Sequence, residues 1–285
     1  MVELGQLKVT PLVSSRFRLD GGSMFGVVPR VLWERKAPPD ALNRILLNSN
    51  SLLVETDGLK VLVEPGMGSK YDQKQRELYD LADTDIISAL ARLGVEPDQI
   101  DLVVATHLHL DHVGGATGFS GAGVAVPAFA NARVVVQRDE LEAALDPHPL
   151  SKGSYRRNDV TPLIESGRMM VVEGESEVAP GVRVELTGGH TPGHQLVWLG
   201  QEGSQALYVG DLVPTCAHLR LNWLMAWDLD PRTVYEQKAR LLADCAAGGA
   251  WVFWSHDPAI AACHLLAPRP GSYEIDEGSV IEAGV

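Results

Sequence analysis

Short runs of Val and Leu recur along the chain, each bounded by Gly, Asp or Pro. They are SLLVET (51–56), KVLVE (60–64), DLVVAT (101–106), RVVVQ (133–137), MMVVE (169–173), VRVEL (182–186), QLVWLG (195–200), ALYVG (206–210) and WVFW (251–254). Runs of that length and composition predict strands. Helical spacing shows in two stretches. Ile86, Leu90 and Leu93 predict a helix over 84–93, with Thr84 capping its start and Gly94 its end. Tyr235, Ala239, Leu242 and Ala246 predict another over 231–246, opened by Asp230 before Pro231. Shorter helices are expected at 72–81 and 138–145. Segments 11–50 and 145–168 carry no clear period and read as long irregular loops, of the kind that form functional rims.

The strands fall into two sets, with helices between and after them. That order predicts an α/β (α+β) fold in which two sheets pack face to face with helices on their outer faces. The chain has 285 residues. It shows no linker-like composition, low-complexity tract or fixed-period repeat, which predicts one domain over 1–285. An irregular amino-terminal arm (about 1–45) and a short carboxyl-terminal tail (about 260–285) complete the expected layout.

Charge narrows the partners. The formal net charge is −13 and the pI about 5.1. An acidic chain without a Lys/Arg run repels phosphate backbones and anionic lipid surfaces, so neither nucleic acid nor a membrane is an expected partner. The first residues lack the apolar core of a signal peptide, and no stretch approaches the length of a transmembrane helix. Three widely spaced cysteines, Cys216, Cys245 and Cys263, suit a reducing compartment, and the cytoplasm is the expected location.

Candidate chemistry is concentrated at THLHLDH (106–112), where His107, His109, Asp111 and His112 follow the strand pattern IDLVVAT. In a continuing strand, His107 and His109 would share a face and could chelate one ion. The glycines at 114–115 then end the turn. More ligand types follow other strands: His190 in GGHTPGH, Asp211 in YVGDL and His256 in VFWSHD. Imidazole and carboxylate suit Zn, Fe, Mn or Co, and the absence of Cys argues against a structural zinc knuckle. Five His and two Asp are too many for one tetrahedral ion but suit two divalent ions sharing a carboxylate.

The pattern His107-x-His109-x-Asp111-His112, followed by His190, Asp211 and His256, resembles the metallo-β-lactamase superfamily over roughly residues 45–260. The resemblance implies an αββα sandwich of two mixed sheets. It also implies a first ion on His107, His109 and His190, a second on Asp111, His112 and His256, and Asp211 bridging them, with zinc the expected metal. The head LDGGSMFGVVPRVLWERK (19–36) together with EPGMG (64–68) resembles a narrower group, the YtnP-type quorum-quenching lactonases and the methyl parathion hydrolase branch. Two positions depart from the family. Glu64 stands where Asp is usual, in a turn expected to be structural, and Pro214 replaces a Tyr that some acyl-homoserine lactonases carry.

The implied activity is hydrolysis of an apolar ester or lactone, of the acyl-homoserine lactone type, by a hydroxide held between two ions. Asp111 and Asp211 are the expected catalytic residues. Aryl ester or phosphotriester hydrolysis and a glyoxalase-II-like thioesterase activity are alternatives on the same site, with an iron-dependent persulfide dioxygenase behind them. Met24, Phe25, His218 and Trp223 are candidates for an apolar substrate wall. Family members also suggest a homodimer formed through the amino-terminal arm.

Overall fold

A computed structural model describes residues 1–284 of the chain. The first sheet collects β1 (Val2–Leu4), β2 (Leu7–Asp20), β3 (Arg44–Thr56), β4 (Leu59–Val63) and β5 (Leu102–Val104). A small hairpin follows, β6 (Thr117–Phe119) with β7 (Ala125–Pro127). The sheet then resumes with β8 (Arg133–Gln137) and β9 (Met169–Val172). The order is β1-β2-β3-β4-β5-β8-β9, antiparallel up to β4 and parallel from β4 to β9.

The second sheet holds β10 (Glu175–Ala179), β11 (Val182–Leu186), β12 (Gln195–Gln201), β13 (Ser204–Tyr208), β14 (Trp251–Phe253) and β15 (Ile260–Cys263). A separate hairpin, β16 (Leu265–Arg269) with β17 (Ser272–Ile275), leads to the edge strand β18 (Ile281–Glu282). Only β13 and β14 run parallel here. Both sheets are therefore mixed.

Alternation along each strand builds the layers, because successive side chains point to opposite faces. Leu52, Val54, Val61, Val63, Leu102, Val104 and Val135 turn inward and meet Val182, Val184, Val197, Leu199 and Tyr208 of the second sheet. Their neighbours Leu53, Leu62, Val103, Val134 and Val136 turn outward onto α4 (Ile86–Ala91) and α7 (Arg157–Glu165). On the other side Leu196, Leu207, Val209 and Val252 meet Val234, Leu241, Leu242 and Cys245 of α8 (Pro231–Gly248). The expected helix–sheet–sheet–helix sandwich is the observed one. No helix of the described residues is long and apolar enough to cross a membrane.

Four expectations change. The amino-terminal arm is not irregular. Residues 7–20 form a strand paired along its length with β3, from Lys8↔Glu55 to Asp20↔Arg44. Buried Ser14 and Ser15 interrupt its apolar alternation and hide it from pattern reading. The arm continues into two short helices, α1 (Gly21–Phe25) and α2 (Arg30–Trp33). The carboxyl-terminal tail is likewise built from strands β15 to β18. Segment 145–168 contains α7, masked in sequence by the internal Pro162. The cap of α4 is Asp85, which accepts from the Ser88 N–H, and not Thr84. Helices α3 (Gln73–Tyr79) and α6 (Arg138–Leu145) lie within or on the expected bounds.

The α8 layer gives a direct test. Leu241 is fully buried under the second sheet. Leu241→Ala removes most of its side chain and leaves a cavity, which should cost about 2–5 kcal/mol. Urea unfolding with unchanged denaturant slope is the measurement.

Candidate metal centre

The five metal-liking histidines and two aspartates converge at one edge of the sandwich, from loops after β5, β11, β13 and β14. β5 ends at Val104, so His107 and His109 do not continue it as expected. They lie in an extended segment that ends with His109 as N-cap of α5 (Leu110–Val113), and that helix carries Asp111 and His112 in its single turn. The two rings still sit close, with centroids 4.5 Å apart. The glycines that follow are a packing requirement. A Cβ on Gly114 would lie 2.2 Å from the Met67 carbonyl oxygen, and one on Gly115 2.2 Å from that of Pro65. Only glycines let the turn after α5 press against 65–67.

The ligand atoms form three overlapping groups, His107–His109–His190, Asp111–His112–His256 and, joining them, His107–His112–Asp211, the atoms of each within 4.8 Å of one another. In the first, His190 Nε2 lies 3.2 Å from His109 Nδ1. In the second, His256 Nε2 lies 3.0 Å from His112 Nε2, with Asp111 Oδ2 at 3.7 Å and 3.9 Å from those two atoms. Asp211 stands between the groups. Its Oδ2 is 3.4 Å from His190 Nε2, while its Oδ1 is 3.4 Å from His112 Nε2 and 3.1 Å from His256 Nε2.

The partners of the outer ring nitrogens determine what faces inward. His112 Nδ1 lies 2.6 Å from Glu64 Oε2, His190 Nδ1 lies 2.8 Å from Asp228 Oδ1, and His256 Nδ1 lies 2.8 Å from the Asn48 carbonyl oxygen. Each of those partners only accepts, so each Nδ1 carries a proton and each Nε2 faces inward, where it can take up a proton or a metal ion. Two lone pairs 3.0 Å apart repel unless a cation lies between them. His107 Nε2 is buried and has no hydrogen-bond partner at all. This donor chemistry fits a divalent ion in each group.

Several of these partners were not legible in the sequence. Glu64, read as part of a structural turn, has a left-handed backbone (φ 58°) and is almost fully buried. One of its carboxylate oxygens takes the Thr106 N–H and the other holds His112. Glu140, on α6, accepts from Leu108 N at 2.8 Å, Tyr155 Oη at 3.0 Å and Thr191 Oγ1 at 2.6 Å, clamping both loops that carry the first group. His194 stays outside the groups. Its Nε2 accepts the Asp211 N–H at 3.1 Å. A Glu three residues before a helical apolar pair, or an Asp in a Trp-rich loop, carries no motif that singles it out.

Electrostatics follow the geometry. Burial and the neighbouring imidazoles hold His107 and His109 well below the usual histidine range. Burial also disfavours charge on His112, but Asp211, Glu64 and Asp111 outweigh it and hold its pKa well above that range. Burial would raise Asp211, yet His112 and His256 hold it well below the usual carboxylate range. The site favours positive charge on the second group and on Asp211's flank.

The residues expected to form an apolar substrate wall are packed into the protein. Met24, Phe25, His218 and Trp223 are all buried and pack on one another. Phe25 lies parallel to His218 at 4.7 Å and edge-on to Trp223 at 5.5 Å. His218 is held at both nitrogens, by Thr215 Oγ1 at 2.8 Å and the Met24 carbonyl at 2.8 Å. These residues plug the amino-terminal arm onto the turn after Asp211. A groove of about 1280 Å³ runs nearby between Leu47, Cys216, Arg220 and Tyr273, but none of the seven candidate ligands lines it. Among those seven, the Asp111 side chain is the most open, at 14% exposure.

A profile of the metallo-beta-lactamase superfamily matches residues 44–256. The N-acyl homoserine lactonase AiiA of Bacillus thuringiensis subsp. kurstaki is 32% identical over 163 residues, covering 53% of this chain and 58% of that protein. The chain thus spans somewhat over half the length of the first curated relatives it matches. The N-acyl homoserine lactonase AttM of Azorhizobium caulinodans is 32% identical over 205 residues, covering 67% and 70%. A crystal structure of a probable metal-dependent hydrolase from Staphylococcus aureus superposes with a TM-score of 0.88 at 28% identity, covering 97% of this chain and 99% of that one.

His218 gives a pH test clear of the ligand groups. Burial pushes its pKa down to about 3. Its folded-state pKa is thus below its unfolded value near 6.5, so the unfolded chain binds the proton and stability falls as pH drops below about 6.5. The loss is about 1.4 kcal/mol per pH unit down to the folded pKa. Thermal unfolding from pH 7 to 4 should show a shallower acid slope for His218→Leu than for wild type.

Proposed function

The chain belongs to the metallo-beta-lactamase superfamily, and on that premise we propose that it is a two-metal hydrolase that opens an apolar ester or lactone. The observation that carries this reading is the division of Asp211. One carboxylate oxygen faces the His190 side and the other faces His112 and His256, as a carboxylate shared by two ions requires. His107, His109 and His190 would hold one ion, Asp111, His112 and His256 the other. The relatives named N-acyl homoserine lactonase support a lactone as substrate. When bound, divalent ions polarise a carbonyl oxygen as Lewis acids and lower the pKa of water toward about 7.

The chain's own residues supply position and proton handling. Glu64, Asp228 and the Asn48 carbonyl hold the Nδ1 protons of three rings, so that their Nε2 atoms are aimed inward toward the ions they would bind. Asp111 is the partly open carboxylate beside the second group. Its oxygen away from the histidines can accept a proton from an attacking water and return it to the leaving oxygen. Zinc is the metal this ligand set favours, with Fe, Mn and Co compatible.

A hydrolysis panel of lactones, aryl esters, phosphotriesters and thioesters on protein of measured metal content tests the reading. Lactone or ester turnover should dominate, and phosphotriester turnover without lactone turnover would overturn the substrate class. His109→Ala and Asp211→Ala should reduce turnover to the uncatalysed level while circular dichroism stays native. Chelation should abolish activity and added zinc should restore it. Full activity in metal-free protein would sink the proposal.

A further inference from the structure

Residues 48–51 read Asn-Ser-Asn-Ser, a polar stretch inside the otherwise apolar β3, and all four are buried. Buried polar groups cost stability unless they are hydrogen-bonded, so their partners show what they hold. Ser49 Oγ donates to the Asp111 carbonyl at 2.9 Å, an oxygen that the single turn of α5 cannot satisfy internally. The Asn48 carbonyl takes the His256 Nδ1 proton. Asn50 Nδ2 donates to the carbonyls of Trp254 at 3.0 Å and Asp257 at 2.9 Å, on either side of His256, and its N–H donates to Ser255 at 2.8 Å. Ser51 Oγ donates to the carbonyl of Glu64, whose carboxylate holds His112. One strand of the first sheet thus reaches every loop that carries Asp111, His112 and His256.

Among the described residues, no hydrogen bond from these four side chains reaches His107, His109 or His190. Those three are held from elsewhere. Glu140 ties Leu108 to Thr191, and Asp228 fixes His190. The two sides meet at Glu64, at Asp211 and where the His107 ring lies 4.0 Å from that of His112.

We propose that the strap Asn48–Ser51 positions the ligands of one ion only, so that the Asp111–His112–His256 site can be weakened without emptying the His107–His109–His190 site. This rests on the two-ion reading above. The strap residues touch no substrate. They act through the ligands they orient, and loss of such outer partners typically costs about 10–100-fold in metal affinity.

The test uses zinc-loaded full-length protein, with two dissociation constants measured by chelator competition and metal content by elemental analysis. Cobalt-loaded samples report ligand geometry through their visible absorption. Ser49→Ala should weaken one ion by about 10–100-fold and leave the other unchanged. Asp228→Asn should weaken the opposite ion, and the two half-loaded cobalt spectra should differ. Asn50→Ser, which shortens the same strap, should repeat the Ser49→Ala result and replaces it if Ser49→Ala does not fold. Equal weakening of both ions, or of neither, by folded strap variants would overturn the strap proposal. A wild-type chain that binds only one ion would instead sink the two-ion reading beneath it.

Discussion

Five imidazoles face one small volume, and four of them have the far side of the ring tied down. A free ring would rotate, or would take a proton and repel its neighbours. Here the anchors are Glu64 for His112, Asp228 for His190, the Asn48 carbonyl for His256 and the Thr106 hydroxyl for His107, at 2.9 Å. Each anchor is itself buried or nearly so. Most of what is unusual in this chain serves these anchors. Glu64 accepts a left-handed backbone. β3 carries polar residues where apolar ones would pack better. The Gly114–Gly115 pair gives up side chains so that α5 can lie against the Glu64 turn.

The two sheets contribute unequally. The first supplies anchors from its strand interiors, through β3 and the end of β4. It also carries four of the seven candidate ligands in the segment after β5, and the second sheet supplies the other three from loops beyond β11, β13 and β14. Hydrogen bonds from Asn50 N to the Ser255 carbonyl and from Asn48 N to the His256 carbonyl, at 2.8 and 3.3 Å, stitch the sheets together at the same edge. The site is therefore also a seam of the sandwich. An ion bound there would stabilise the contact between the sheets, because a ligand that binds only the folded state adds to its stability.

Strands with apolar alternation were legible in the sequence, since period two reports burial directly. So was the set of seven His and Asp side chains that converge, because histidines clustered after strand ends are a rare pattern. What escaped had a common cause. β2, the NSNS stretch of β3 and Glu64 are buried polar elements, and pattern reading takes polarity as exposure. Asp228, Glu140 and the β3 strap come from distant sequence and meet the ligands only after folding. Met24, Phe25 and Trp223, expected as a substrate wall, pack in the cluster that seals the arm to the core.

That seal bears on the chemistry proposed. Position 214 is a proline whose carbonyl is committed to His256, so no phenol reaches the site from this turn. Tyr155 packs its ring against His109 at 4.8 Å, but its hydroxyl is bound to Glu140. Burial and the Glu140 charge raise its pKa, so it is a poor proton donor. Tyr71 is likewise turned to a backbone carbonyl, that of Leu110 at 3.4 Å. On the reading proposed, proton return to a leaving group falls to Asp111 alone. One carboxylate beside the second ligand group suits an alkoxide or phenoxide leaving group far better than an amine, which must be protonated to depart. The same absence that weakens a close parallel with phenol-assisted lactonases thus points away from amide substrates and toward esters and lactones.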